Sequence, residues 1–226
     1  MLFLAVFAGF LAENQREHYI EGKREKKYIQ SIVEDIKSDT AFISRFLIDQ
    51  DRSIQAYDSV IILLNQENRS NNQQQRLYYL QRIAIYLSSP VLANENAYDQ
   101  MKNSGNLRLI KTQKIADSIS SYYFFVKSLK IINDLMTLRQ QSVTEFEGKI
   151  FDGSVFRTMV NKTNLEILPP LGNPQLVTDD KKTINDFIVR IHYLQSIMVY
   201  SVRNVKLQWT KAMDLLLFLN EEYHMK

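Results

Sequence analysis

Chemistry at neutral pH usually starts from histidine or cysteine, and this chain has three histidines, His18, His192 and His224, and no cysteine. Glu221 and His224 form one Glu-x-x-His, the pair that di-iron bundles use twice with two further Glu. His18 and His192 have Gln15 and Val189 in the corresponding place. The lone half-motif reads as a solvated accident, and a metal-dependent oxidase is a remote alternative. No His-Glu-x-x-His, no phosphate-cradling glycine pattern and no Gly-x-Ser-x-Gly occurs. The lack of Cys excludes disulfides, thiolate metal sites and cysteine nucleophiles. A non-enzymatic chain without cofactor is expected, with no catalytic or metal-ligating residue.

The elements that would position any site are helices. Only six Gly and four Pro occur in 226 residues, and the prolines sit at 90, 169, 170 and 174, so long stretches carry no helix breaker. Net charge is +3, but Lys and Arg are interspersed with Asp and Glu, which argues against nucleic acid as a partner.

The first twelve residues, MLFLAVFAGFLA, carry no charged side chain. As a helix they span about 18 Å, short of the roughly 30 Å of bilayer hydrocarbon. A signal peptide would want a basic start and small residues where Phe10 and Leu11 stand, and a buried core helix would show a polar face by its second turn. A membrane-inserted helix end fits better. Leu2, Phe3, Leu4, Val6, Phe7, Phe10 and Leu11 would meet lipid. Ala5 with Gly9 and Ala8 with Ala12 have the four-residue spacing of close-packed membrane helices. The charged segment 13–28 follows, where Arg16, Lys23, Arg24, Lys26 and Lys27 would either contact headgroups or form a solvated face.

Residues 29–226 read as one elongated bundle of about four helices, two of them very long. Ile29, Ile36, Ile43, Gln50, Tyr57 and Leu64 fall seven apart, with Val33, Thr40, Leu47, Ile54 and Ile61 beside them. These two rows predict a helix from the apolar head to about Asn65. The polar stretch 65–76 reads as a turn or frayed junction, and a second helix follows until Pro90. Asn94 or Asn96 would cap a short helix ending at Gly105. Ile115, Ile119, Tyr122, Val126, Leu129, Ile132 and Met136 predict a third long helix from near Thr112 to before Gly148. Residues 148–178 read as an irregular excursion with a possible small hairpin, and a ligand pocket against it is an alternative role. After Asp180, Ile184, Ile191, Met198, Val205, Ala212 and Leu219 stand seven apart and define a final helix of some 45 residues.

Several polar and aromatic residues invite a role. Gln50, Thr40 and Gln195 interrupt apolar rows and are either tolerated or register-setting. His192 and Trp209 are expected at or within the core. Tyr122, Tyr123, Phe124 and Phe125 are consecutive, so at least one must leave the buried stripe, and the run is a candidate partner interface.

The apolar span ending in Phe10, Leu11, Ala12, Glu13 and Asn14, the run EKKYIQSIVEDIKSD at 25–39 and AYDQMKNSGNLRLI at 97–110 resemble a family of bacterial membrane-anchored proteins known only as a domain of unknown function. The resemblance extends loosely to Tyr122 and Tyr123 and implies one transmembrane helix with a helical domain beyond it. This chain lacks that family's basic leading stretch and the first half of its span. By the positive-inside rule alone the charged segment would face the cytoplasm; the resemblance implies an inner-membrane anchor and a periplasmic domain. The expected partners are membrane lipid and another membrane protein or a second copy, with no small molecule assigned.

Overall fold

The computed structural model describes residues 2–225, with the side chain of Leu2 outside the described residues. The chain is all-helical: α1 is Leu2–Leu64, α2 Asn71–Leu87, α3 Asn96–Asn103, α4 Gln113–Glu147, α5 Gly153–Thr158 and α6 Lys181–Tyr223. A single 3₁₀ turn, Asn106–Leu109, lies between α3 and α4. The three long helices match the seven-residue patterns closely. Ile29, Ile36, Ile43, Gln50, Tyr57 and Leu64 are all buried, as are Ile184, Ile191, Met198, Val205, Ala212 and Leu219.

The sequence reading treats 29–226 as one bundle; contacts within the chain fall instead into two compact units. The first comprises residues 1–42, 92–127 and 207–226, and the second 43–91 and 128–206. Helices α1, α4 and α6 contribute to both.

The first unit is built on Ile29, Ile32, Ile36, Met101, Ile119, Tyr123, Ala212 and Leu219, all but fully buried. Against this core α3 is capped from outside its own sequence. Asp35 Oδ2 on α1 accepts the backbone N–H of Ala97 at 3.0 Å, and Asp35 Oδ1 accepts from the Asn94 amide at 2.7 Å. Asn94 Oδ1 in turn accepts the Asn96 N–H. The expected local cap is therefore shared: Asn94 contributes, but a carboxylate about sixty positions earlier satisfies the orphan donor of the first turn. Gly105, at φ 71°, makes the left-handed turn that follows α3.

The second unit packs Tyr57, Leu77, Tyr78, Met136, Val143, Phe151, Phe187 and Ile191. Helix α1 stops at Leu64 because Arg69, its side chain 3% exposed, folds back on the helix end. Its Nη1 donates to the carbonyls of Leu63, Leu64 and Gln66, and Nη2 to Asp179 at 2.7 Å. The polar run expected to be a junction already belongs to α2 from Asn71. Ser70 accepts the Gln73 N–H while the Gln73 side chain accepts from the Ser70 N–H, and this capping box overrides the weak periodicity.

Residues 148–180 lie on this second core as an ordered loop containing α5. A single antiparallel bridge, Val160 with Ile167, stands where a hairpin is a possibility in the sequence. The Tyr78 hydroxyl pins the loop twice, donating to the Gln175 carbonyl at 2.8 Å and accepting the Asp152 N–H at 2.9 Å. Phe151 packs against Tyr78, Phe156 and Phe187 with ring centroids 5.1–5.9 Å apart. Asp180 starts α6 by accepting the Thr183 N–H at 2.8 Å.

Candidate functional site

The start of α1 is bare. Residues 3–19 are all exposed, including Phe3 at 80% and Phe10 at 69%. Leu4, Val6, Phe7 and Leu11 share that exposure, so an apolar cylinder stands free of the chain's own core. Phe3 and Phe7 stack one turn apart at 6.4 Å. The small residues Ala5, Ala8, Gly9 and Ala12 face nothing; a Cβ placed on Gly9 would meet no atom within 4 Å. Among the described residues no helix is long and apolar enough to cross a membrane.

The charged segment 13–28 has two characters. Glu13 and Arg16 form an exposed ion pair at 2.6 Å, and the Lys23 ammonium lies over the Tyr19 ring at 4.5 Å. Lys23, Arg24, Lys26 and Lys27 are exposed. Glu25 is not, being 4% exposed: its Oε1 accepts the Lys111 N–H at 3.0 Å and the Tyr223 hydroxyl at 2.7 Å. Burial first, and the hydrogen bond to Glu25 second, push the Tyr223 phenol well above its usual range. Glu25 thus fixes the helix within the first unit, whereas residues 3–19 are exposed on every face. A carboxylate in a run of exposed charges gives no local sign of this.

A second acidic contact follows on α1. Asp39 is 5% exposed, and both its oxygens accept the Asn94 N–H, at 2.9 and 3.1 Å. Burial pushes its carboxyl up to about 6, reinforced by the nearby charges of Asp35 and Glu95 and opposed by the Asn94 hydrogen bond. Lys127 balances the group from α4, bonding Asp99 at 2.8 Å and Glu95 at 3.3 Å.

The four-aromatic run divides sharply, correcting the expectation for its first two members. Tyr122 and Tyr123 are buried, Tyr123 stacking on Tyr98 at 4.3 Å. Burial pushes the Tyr122 hydroxyl up to about 12 and that of Tyr123 further still. Phe124 alone is fully displayed, 78% exposed, while Phe125 is half-buried under the Lys211 ammonium at 5.5 Å. Trp209 corrects a second expectation: it is 40% exposed, and its neighbour Gln208 takes the core position. His192 is likewise exposed.

Gln50 and Gln195 have structural work. Gln50 donates to the Ser89 carbonyl at 2.8 Å, holding the chain beyond α2, and Gln195 bridges to the Ile54 carbonyl and Asp58 on α1. Thr40 bonds its own helix at the Lys37 carbonyl. The two glutamines fit the register-setting reading.

Glu221 lies within α6, whereas His224 lies beyond its end at φ 49°. Among the described residues no group of three or more His, Cys, Asp or Glu is placed to hold a metal ion. A groove of about 750 Å³ runs between α4 and α6 in the first unit, away from the 148–178 loop. Tyr122, Leu215 and Phe218 line it together with Lys114, Lys211, Asp117 and Asp214. Comparison with protein-family models, curated proteins and solved structures finds no match.

Proposed function

We propose that this chain is a non-enzymatic, membrane-tethered helical protein that serves as an interaction scaffold or accessory subunit of a bacterial inner-membrane complex, its helical units on the periplasmic side. The observation that carries the reading is the exposure of residues 3–12 on every face of α1. Moving each of Phe3, Leu4, Val6, Phe7, Phe10 and Leu11 from water into hydrocarbon is worth roughly 1.5–3 kcal/mol, ample for tethering without a full crossing. Arg16, Lys23, Arg24, Lys26 and Lys27 stand where a surface-lying or half-inserted helix meets headgroups; Arg16 is already paired with Glu13, and Lys23, Arg24, Lys26 and Lys27 are each worth about 1 kcal/mol on anionic lipid.

Sedimentation with phosphatidylcholine–phosphatidylglycerol vesicles tests the tether. The full chain should pellet with vesicles, and Phe3→Glu with Phe7→Glu should leave it in the supernatant with its melting temperature unchanged. A chain that stays soluble beside vesicles, or a variant that still pellets, would remove the reading.

Ligand sensing is the second reading, favoured by the 750 Å³ groove, where apolar Leu215 and Phe218 lie among Lys114, Lys211, Asp117 and Asp214, a lining of balanced charge suited to an amphiphile. Titration with the fluorescent anionic amphiphile anilinonaphthalene sulfonate checks it: saturable binding lost in Phe218→Glu supports the groove, and no binding dismisses it.

A further inference from the structure

Helix α4 carries two apolar stripes within the second unit. One holds Leu129, Ile132, Met136 and Val143 and is buried. The other holds Ile131, Leu135 and Leu138, exposed at 67%, 42% and 56%. Ile131 and Leu138 stand seven apart with Leu135 between them, the arrangement of a coiled-coil seam, and each leaves a large part of its side chain to solvent. The neighbouring edge of α6 continues the surface. The Arg139 guanidinium lies over the Tyr193 ring at 5.3 Å, Val189 lies one turn before Tyr193, and Tyr200 follows seven residues later; all three apolar residues are exposed. Six large apolar side chains on one face exceed the scattered hydrophobics of an ordinary surface.

We propose that this α4–α6 face is the homodimer interface of the protein, with α4 packing in parallel on α4 of a second copy across a two-fold axis. The charges flanking the seam select that partner. With Ile131 and Leu138 at the d positions of the heptad and Leu135 at a, Asp134 takes g and Arg139 the following e. Those two positions, five residues apart, meet across the seam of a parallel pair. A two-fold axis therefore sets Asp134 against the partner's Arg139 twice, whereas antiparallel pairing brings g to g and e to e and leaves the two on opposite sides. The exposed parts of the six side chains amount to on the order of 1,200 Å² over two copies, the lower edge of stable interfaces. This inference specifies the partner of the scaffold reading as a second copy and stands independently of the membrane tether.

Sedimentation velocity tests it on the full chain carrying Phe3→Glu and Phe7→Glu, so that the apolar head offers no route to association. A dimer at about 10 µM is expected. Ile131→Glu with Leu138→Glu should give a monomer whose circular dichroism and melting temperature are unchanged, since both positions are exposed. Asp134→Arg alone should weaken dimerisation at least tenfold, and adding Arg139→Asp should restore it. A monomer up to about 100 µM, or a dimer indifferent to Ile131→Glu with Leu138→Glu, overturns the interface. Failure of the charge exchange to restore the dimer overturns the parallel register. Vesicle binding is read separately, so loss of one proposal leaves the other standing.

Discussion

The hydroxyl of Tyr223 donates to Glu25 Oε1 at 2.7 Å, joining the last residue of α6 to the charged segment behind the apolar head. The same oxygen accepts the Lys111 N–H just ahead of α4, so one carboxylate ties three distant stretches together. Residues 3–19 of α1 project, and from Ile29 onward the helix buries one face.

Removing that carboxylate leaves a backbone donor and a phenol without their acceptor. Glu25→Ala should lower stability by about 1–3 kcal/mol and Tyr223→Phe by about 1 kcal/mol. Chemical denaturation of the three proteins checks the order, and equal values would show that Lys111 and Tyr223 find other acceptors.

Asp39 should give the first unit an acid-side gain in stability. Its folded carboxyl titrates at about 6, above its ordinary value of 3.8, so the folded chain binds the proton more tightly than the unfolded one. That contribution is complete below about pH 4 and is lost as pH rises through about 6. Exposed Asp152, Asp180 and Glu67, held below their usual range by hydrogen bonds, work the other way as pH falls. The difference between wild type and Asp39→Asn isolates the group: the variant should gain relative stability at pH 7.5 and lose that advantage by pH 4.5. Parallel melting curves across this range would exclude the effect.

Tyr123 and Phe124 are adjacent and should behave as opposites. Tyr123→Ala opens a cavity beside Tyr98 and should destabilise by about 3–5 kcal/mol. Phe124→Ala should stay within about 0.5 kcal/mol. Tyr123→Phe removes a buried hydroxyl that has no hydrogen-bond partner among the described residues and should be neutral or stabilising. Urea unfolding of the three variants measures the contrast.

The exposed cations after the head should act through charge alone. Lys23→Glu with Arg24→Glu should reduce vesicle binding several-fold on phosphatidylglycerol-containing membranes and leave binding to neutral ones unchanged. The loss should shrink as salt rises. Cosedimentation at two ionic strengths reads this, and a salt-independent loss would point to damage of the helix instead.

Asp35→Ala should loosen α3 without melting the chain, since its oxygens hold the Ala97 N–H and the Asn94 amide. A cost of about 1–2 kcal/mol is expected, with faster hydrogen exchange confined to residues 94–103.

The three long helices were legible in the residues themselves. Apolar rows seven apart, few Gly and Pro, and Asp180 ahead of the last row set their extent, because a helix is made by bonds and caps within four residues. The charge-free head is equally plain in the sequence, and among the described residues nothing packs on residues 3–12. Where the structure departs from the local pattern, the deciding contact is remote. Trp209 and Gln208 compete for one stripe, and nothing within a turn of them says that the glutamine goes inward. Glu25 is buried by Tyr223 and Lys111, and α3 is capped by Asp35. Local pattern chose the helices of this protein and the rows seven apart that they bury; which residue fills the edge of a stripe, and which charge is buried, was decided by partners up to 198 positions away, whose attraction exists only once the helices have met.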